Sequence, residues 1–417
     1  MEDGSWLAVG RVRHARVTAS PSSCQATSAM ACAQHHQSEA GANTNRKDVI
    51  VKIQRIAVYE LNLPYRGARY AMSGGRTASS WATIVVRVDT DQGLSGFGEA
   101  CPLGCTYLDG SPGTIQAGIR EMAEGMLEAD PTESAAVNAR MDTLLRGNLS
   151  AKSPIDIACL DIKGQALGVP VSMLLGGSLH NTMPVFDAIS LDEATVMAAH
   201  AADMREEGYR HYQLKLGTDP MVDVSRIRAV AREIGDWSFL TCDANGSWTR
   251  AEAMRVARAT EGLDLYLEQP CPTIEEVADV RSRTSQPIVL DEVVTGVHAL
   301  LEIWKSRAAD AINLKITRVG GLTRAALIRD LAQEMSLEVL IDDPCGADLS
   351  AAAKLHLASS TRPGCLIALS MTDTPVRLVG DTIPPVVQGR VASLLSPGLG
   401  VSVDQSVLGK PVFSVPA

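Results

Sequence analysis

Five strand-like runs in the middle of the chain each end on one ionisable residue. They read His211-Tyr-Gln-Leu-Lys215, Phe239-Leu-Thr-Cys-Asp243, Leu265-Tyr-Leu-Glu268, Ile288-Val-Leu-Asp291 and Ala311-Ile-Asn-Leu-Lys315. Asp243, Glu268 and Asp291 are hard oxygen donors of the kind Mg2+ takes, and an octahedral ion held by three of them keeps positions for water and substrate. No cluster of Cys and His competes for zinc. Lys215 and Lys315 are the candidate bases, since a lysine beside another cation and partly buried has its pKa lowered. Taken singly, a lysine at a strand end is more often a snorkelling or paired surface group, and a lone carboxylate a helix cap or ion-pair partner. The set at regular spacing is what points to a site.

That site requires a scaffold that brings five strand ends together. Each run is short, apolar and bounded by polar or turn residues, as a buried parallel strand is. Helical patterns lie between them at Met221–Ile234, Arg250–Gly262 and Thr273–Thr284. Strand, helix, strand at an interval of roughly 25 residues predicts a closed β/α barrel, whose functional residues sit at the C-terminal ends of its strands. Met183–Ile189 supplies a first strand, and Glu338–Asp342 and Cys365–Leu369 the last two, giving eight.

At 417 residues the chain can hold one barrel and a smaller domain. Residues 1–47 lack periodicity and read as a disordered leader, with His35-His36 near Cys32 as a weak metal candidate. Residues 48–160 read as an α+β capping domain: strands at Val51–Leu61, Ala82–Val88 and Gly93–Gly98, then helices at Thr114–Leu127 and Thr132–Arg146. Two of its loops, Tyr65–Gly75 and Cys101–Gly113 around Tyr107, are either a lid over a ligand or ordinary hairpin connections. In Ser153–Gly177, Ile155, Ala158, Cys159, Ile162 and Ala166 fall on one helical face, predicting a structural link to the barrel. The barrel spans 161–370, and residues 371–417 return to the capping domain through added strand and turn at Gly389–Val403.

A formal net charge of −10 argues against nucleic-acid or membrane-surface partners. No apolar run reaches the length that spans a bilayer. Nine scattered cysteines fit a reducing, cytoplasmic setting better than a disulfide framework.

From about residue 48 onward the chain resembles the muconate-lactonizing-enzyme branch of the enolase superfamily. The residues that carry the resemblance are the SPIDIACLDIKGQALGVPVSMLLGG linker, Gln213-Leu-Lys215, Asp243-Ala-Asn245, Glu268-Gln-Pro270, Leu290-Asp-Glu292 and Leu314-Lys-Ile-Thr-Arg-Val-Gly-Gly321. Each is weak alone, but their order and spacing are specific. The resemblance implies a modified (β/α)8 TIM barrel with an α+β cap formed by the N-terminal part and the C-terminal tail. It also implies Mg2+-assisted abstraction of a proton next to a carboxylate through an enediolate, with lysine as base, a pairing general to that superfamily. The ion would neutralise charge that develops as the α-proton leaves. Only His211 among the eight histidines lies at a strand end, and it opens its strand, unlike the histidine base of the mandelate-racemase branch. The implied substrate is a small carboxylate, and relatives are commonly homo-oligomers.

Gln213, with Thr106-Tyr107, resembles enzymes acting on proline derivatives, the cis-3-hydroxy-L-proline dehydratases and proline-betaine epimerases. Tyr107 would lie against a substrate ammonium or ring, Gln213 would orient the carboxylate, and Asn245 would bind substrate or fix its loop. Glu292 reads as a residue supporting the ligands. Those relatives often carry tryptophan after the seventh strand, where this chain has Cys345, which favours a smaller or less methylated amine. The eighth strand reads Ala368-Leu-Ser-Met-Thr-Asp373, without the Asp-x-Asp of dipeptide epimerases, and Asp373 or Asp342 would pair with a substrate amine. Three classes remain at this point: a dehydratase or epimerase, a Schiff-base barrel enzyme, and a barrel kept as a binding protein. The three carboxylates disfavour the second, and the two lysines disfavour the third.

Overall fold

The computed structural model describes residues 51–67, 69–371 and 374–416. The expectations for residues 1–47, His35-His36 included, and for Asp373 lie outside the described residues. Eight parallel strands, Thr182–Ile189, His211–Lys215, Phe239–Asp243, Tyr266–Glu268, Ile288–Leu290, Ala311–Lys315, Glu338–Asp342 and Leu366–Ser370, pair in sequence order. The eighth closes on the first, Leu369 opposite Val185 and Ser370 opposite Phe186. The chain therefore forms the closed β/α barrel that the spacing predicts.

Local chemistry starts the helices between the strands. Asp219 accepts from the backbone N–H groups of Met221 and Val222 to open Pro220–Ile234. Thr249 and Glu252 form a reciprocal cap on Arg250–Ala259, and Thr273 caps Ile274–Arg281. Inside the barrel, Phe186, Phe239, Val289, Ala311, Leu340 and Ala368 pack into an apolar floor. His211 stacks against Phe239 in this lower layer, at the end opposite the strand termini that carry the charges.

The capping unit is an antiparallel sheet in the order Phe413–Val415, Ile53–Pro64, Ser80–Thr90, Ser95–Ala100, with helices Pro112–Met126 and Ser134–Leu144. The C-terminal tail does reach this sheet, but through Phe413–Val415, paired with Ile56–Val58. The stretch expected to do so, Gly389–Val403, instead places Arg390–Ala392 antiparallel to the first barrel strand. A strand of three residues has too little pattern to be read from the chain; its register comes from the partner it meets.

Helix Leu149–Leu167 keeps the expected face except at Ala166, and buries its other faces as well. Residues 150–162 are buried on all sides, and Ala166 is exposed. Ile155, Ala158, Cys159 and Ile162 pack into the capping core, while Ile157 and Leu160 join the barrel core. A helix apolar all round is one with a core on each side. Its buried acids serve as staples: Asp161 accepts from Phe97 N at 3.1 Å and Leu399 N at 2.8 Å, and Asp156 accepts from Asn138 and Thr323 N.

Strand Ser95–Ala100 lies almost backbone to backbone on this helix. A Cβ at Gly98 would stand 2.0 Å from Pro154 O, and one at Gly96 2.1 Å from Ala158 O. Neither carbonyl can yield without breaking the helix, so Gly98→Ala should lower unfolding stability by about 3 kcal/mol or more. Urea denaturation checks this, and Gly113→Ala, whose added Cβ would meet only Ser111 Oγ at 4.0 Å and whose φ is not positive, is a control for loss of a glycine alone.

Candidate active site

The polar residues of the site recur every second position along their strands, because side chains of one parity point into the barrel. Gln213 and Lys215, Thr241 and Asp243, and Asn313 and Lys315 each form such a pair above the apolar floor. Asp243, Glu268 and Asp291, all fully buried, can each offer an oxygen lying within 4.8 Å of the other two. Three buried carboxylates so close repel one another, and Glu268 shows it. Burial, with Asp243 and Asp291 beside it, pushes its pKa up to about 8. An all-oxygen donor set under mutual repulsion is what a hard divalent cation relieves. Glu292 Oε2 and Asn245 Oδ1, buried without a partner, add unused acceptors nearby. The residues fit a metal.

The two lysines flank this cluster from strands four apart in the eight-stranded ring, hence from opposite sides of the mouth. Lys215 Nζ donates to Asp243 Oδ2 at 2.6 Å. Lys315 Nζ donates to both Asp291 oxygens, at 3.1 and 3.0 Å, and to Asp342 Oδ2 at 2.6 Å. The expected lowering counted a metal ion beside each lysine; the protein's own carboxylates act in the opposite direction. Burial disfavours the ammonium of Lys215, yet Asp243, Tyr70, Tyr107 and Glu268 together outweigh it and hold the pKa well above the ordinary value. Lys315 is held up in the same way by Asp291 and Asp342. The expectation weighed the neighbouring cations and burial but not the carboxylates within hydrogen-bond reach.

The remaining candidates mostly hold the three carboxylates in place. Gln213 Nε2 donates to Glu268 Oε2 at 2.9 Å. Asn245, in the left-handed region at φ 48°, donates from its side chain to Asp243 and to Glu292 Oε1. Glu292 is thereby tied to the cluster at one remove, and burial together with Asp291 raises its pKa to about 7. Tyr107 donates its hydroxyl to Asp291 Oδ2 at 2.8 Å, and its ring lies 5.7 Å from Lys315 Nζ. Asp342 accepts from Lys315, and Cys345 lines the cavity above the mouth.

Three groups given no role from the chain matter here. Asn313 donates to Glu268 Oε1 at 2.8 Å, and its signal was its position two residues before Lys315 on an inward-facing strand. Arg318 Nη1 donates to Asp291 Oδ1 at 2.6 Å and to the Asp291 carbonyl. Although burial works against ionisation of Asp291, Lys315 and Arg318 hold its carboxyl well below the usual range. Gln269, in the Glu-Gln-Pro motif, accepts from Asp291 N and so sets the fifth strand end against the fourth.

Both loops singled out in the capping unit line one cavity of about 1030 Å3, through Tyr65, Tyr70, Leu103 and Tyr107, together with Lys215 and Lys315. They lie over the barrel mouth, as a lid over a ligand does. Among the described residues, no helix is long and apolar enough to cross a membrane.

Residues 56–176 match the model of the mandelate racemase / muconate lactonizing enzyme N-terminal domain, and residues 196–407 that of the enolase C-terminal domain-like family. A cis-3-hydroxy-L-proline dehydratase from Roseibium aggregatum is 40% identical over 363 residues, covering 87% of this chain and 99% of that protein. An N-succinyl-L-Arg/Lys racemase from Bacillus cereus is 28% identical over 362 residues, covering 86% of this chain and 97% of its own. Among solved structures, an enolase-superfamily member from Roseovarius nubinhibens complexed with magnesium superposes with a TM-score of 0.83 at 34% identity, over 87% of this chain and 99% of that one.

If the three carboxylates share one cation, Asp291→Asn should weaken divalent-cation binding by at least ~100-fold, since a ligand and a unit of charge are lost together. Calorimetric titration measures this directly, with circular dichroism confirming that the variant is folded. Near-normal cation affinity would remove Asp291 from the site.

Proposed function

The chain belongs to the mandelate racemase / muconate lactonizing enzyme family of the enolase superfamily, and on that premise we propose that it removes the proton α to a carboxylate with Mg2+ bound at Asp243, Glu268 and Asp291. The observation that carries the reading is the placement of two buried lysines on opposite sides of that carboxylate cluster. Bound there, Mg2+ would supply the counter-charge for the enediolate that forms on a substrate carboxylate. The chain's own residues do the rest. Lys215 and Lys315 each face one side of a substrate held between them, and either as the free amine can accept the α-proton. A carboxylate that shared its charge with a cation would hold a proton on its lysine less tightly, which would bring Lys215 and Lys315 back towards usable basicity. Gln213 and Asn313 keep Glu268 in place, and Arg318 does the same for Asp291. The lid loops exclude water and bring Tyr107 to the edge of the site.

The reaction we propose is dehydration of cis-3-hydroxy-L-proline, supported by the 40% identical relative of that name and by the small wall residue Cys345. A ring of that size needs no aromatic face, whereas a quaternary ammonium is attracted by one. Asp342 is the acid available to a substrate amine. A second reading, epimerisation of an amino-acid derivative, draws on the lysine at each face, because inverting a centre takes a base on one side and an acid on the other.

Incubation in D2O separates the readings. Dehydration releases water from cis-3-hydroxy-L-proline, whereas epimerisation exchanges the α-proton and inverts the centre without loss of water. Either activity should vanish with EDTA and return with Mg2+. Lys315→Ala should abolish α-deuterium exchange from one enantiomer of proline and Lys215→Ala from the other, each by ~10²–10⁴-fold. Loss of the same enantiomer in both variants would exclude the two-face arrangement. Cys345→Trp should shift kcat/KM towards proline betaine relative to proline; an unchanged ratio removes Cys345 from the pocket wall.

A further inference from the structure

Three lysines are buried around the cavity, and the mechanism above uses two. The third is Lys354, on helix Asp348–Ser359, which is 1% exposed and lines the same cavity as Lys215 and Lys315. Its Nζ donates to the neutral hydroxyl of Ser370 at 2.8 Å, at the end of the eighth strand. Lys215 and Lys315 are locked to carboxylates; among the described residues, Lys354 forms no ion pair.

The charged and titratable groups that face it are Asp342, Asp343, Cys345 and Glu99. Each carboxylate among them is satisfied elsewhere. Asp342 accepts from Lys315 at 2.6 Å. Asp343 accepts from Thr317 N and Oγ1 at 2.9 and 2.7 Å, and Glu99 from Thr83 Oγ1, Ala347 N and Ser350 N. Among the described residues the ammonium of Lys354 therefore has one neutral acceptor for three N–H bonds. A buried cation so placed is short of partners and readily donates to an oxygen that enters the cavity. Burial also pulls its pKa below the ordinary value, the direction opposite to that of the two paired lysines.

We propose that Lys354 is the acid that protonates the departing 3-hydroxyl of the substrate. The assignment rests on the dehydratase reading above. As Lys215 or Lys315 takes the α-proton, the C–H electron pair enters the enediolate; its return forms the C2–C3 double bond as the C3–O bond breaks. The leaving oxygen takes a proton from Lys354 and departs as water. Lys354 becomes a neutral amine and the base an ammonium, so one water is lost with no change in net charge or oxidation state. Hydroxide is too poor a leaving group to depart unassisted, which is why elimination needs an acid that simple α-proton exchange does not. Ser370 holds the Lys354 amine in place.

The test compares cis-3-hydroxy-L-proline with its cis-3-chloro analogue, whose chloride leaves without a proton. With Lys354→Met, water release should fall by at least ~100-fold while chloride release falls by less than ~3-fold, the signature of a lost general acid. Lys354→Gln is the second variant, should the methionine protein fail to fold, and should give the same split. Equal loss on both substrates would mean a structural role, and retention of both would mean no role; either overturns the assignment. A wild-type protein that exchanges the α-proton but releases neither water nor chloride overturns the dehydratase reading and this assignment with it. If the wild type releases both and the variants do too, only the assignment to Lys354 falls.

Discussion

The structure depends on mutual neutralisation of charges that are all out of water. Asp243, Glu268, Asp291 and Asp342 stand at the strand ends with Lys215, Lys315 and Arg318 among them, each at most 9% exposed. Removing such ions from water costs several kcal/mol apiece, recovered only where every charge meets an opposite one or a well-placed donor. The pairs at 2.6–3.1 Å do this. Glu268 is the member left with neutral donors, Gln213, Thr241 and Asn313, and its carboxyl is accordingly pushed upward. A cluster balanced in this way stores affinity for a cation. It is a poor way to gain stability and a good way to hold a reactive arrangement ready.

Such a cluster has to be built on something that cannot relax. The apolar floor beneath it and the closed ring of parallel strands fix where each side chain starts, and inward parity fixes where it points. The helix Leu149–Leu167, buried between two cores, joins this rigid mouth to the capping sheet, and Asp161 ties the helix to both the sheet and the C-terminal tail. Glu99 does the same from the sheet side, accepting from backbone N–H groups after the seventh strand. The two loops over the barrel mouth thus hang from a frame anchored directly to the barrel, and Tyr107 arrives within hydrogen-bond distance of Asp291.

The chain alone determined the barrel, the five strand-end residues and the family. Those rest on features written locally: short apolar runs, turn residues, caps and a repeat interval. Asn313 was legible in principle, since a polar residue two places before Lys315 shares its face. Arg318 stood inside a quoted motif with no local mark of its role. What only the tertiary structure decided is which charges meet. Lys215 and Asp243 are 28 positions apart and Tyr107 and Asp291 184 apart, and nothing local says that one will sit against the other. For that reason the carboxylates that act on the two lysines could not be read from the chain, because a pKa is set by neighbours within a few ångströms. The same holds for the second buried face of helix Leu149–Leu167, whose core is built from distant segments, and for Phe413–Val415, a strand only because Ile56–Val58 offers it an edge. Lys354 is the clearest instance: a lysine in an alanine-rich helix reads as a surface residue, and only the closed barrel shows it buried beside the cavity.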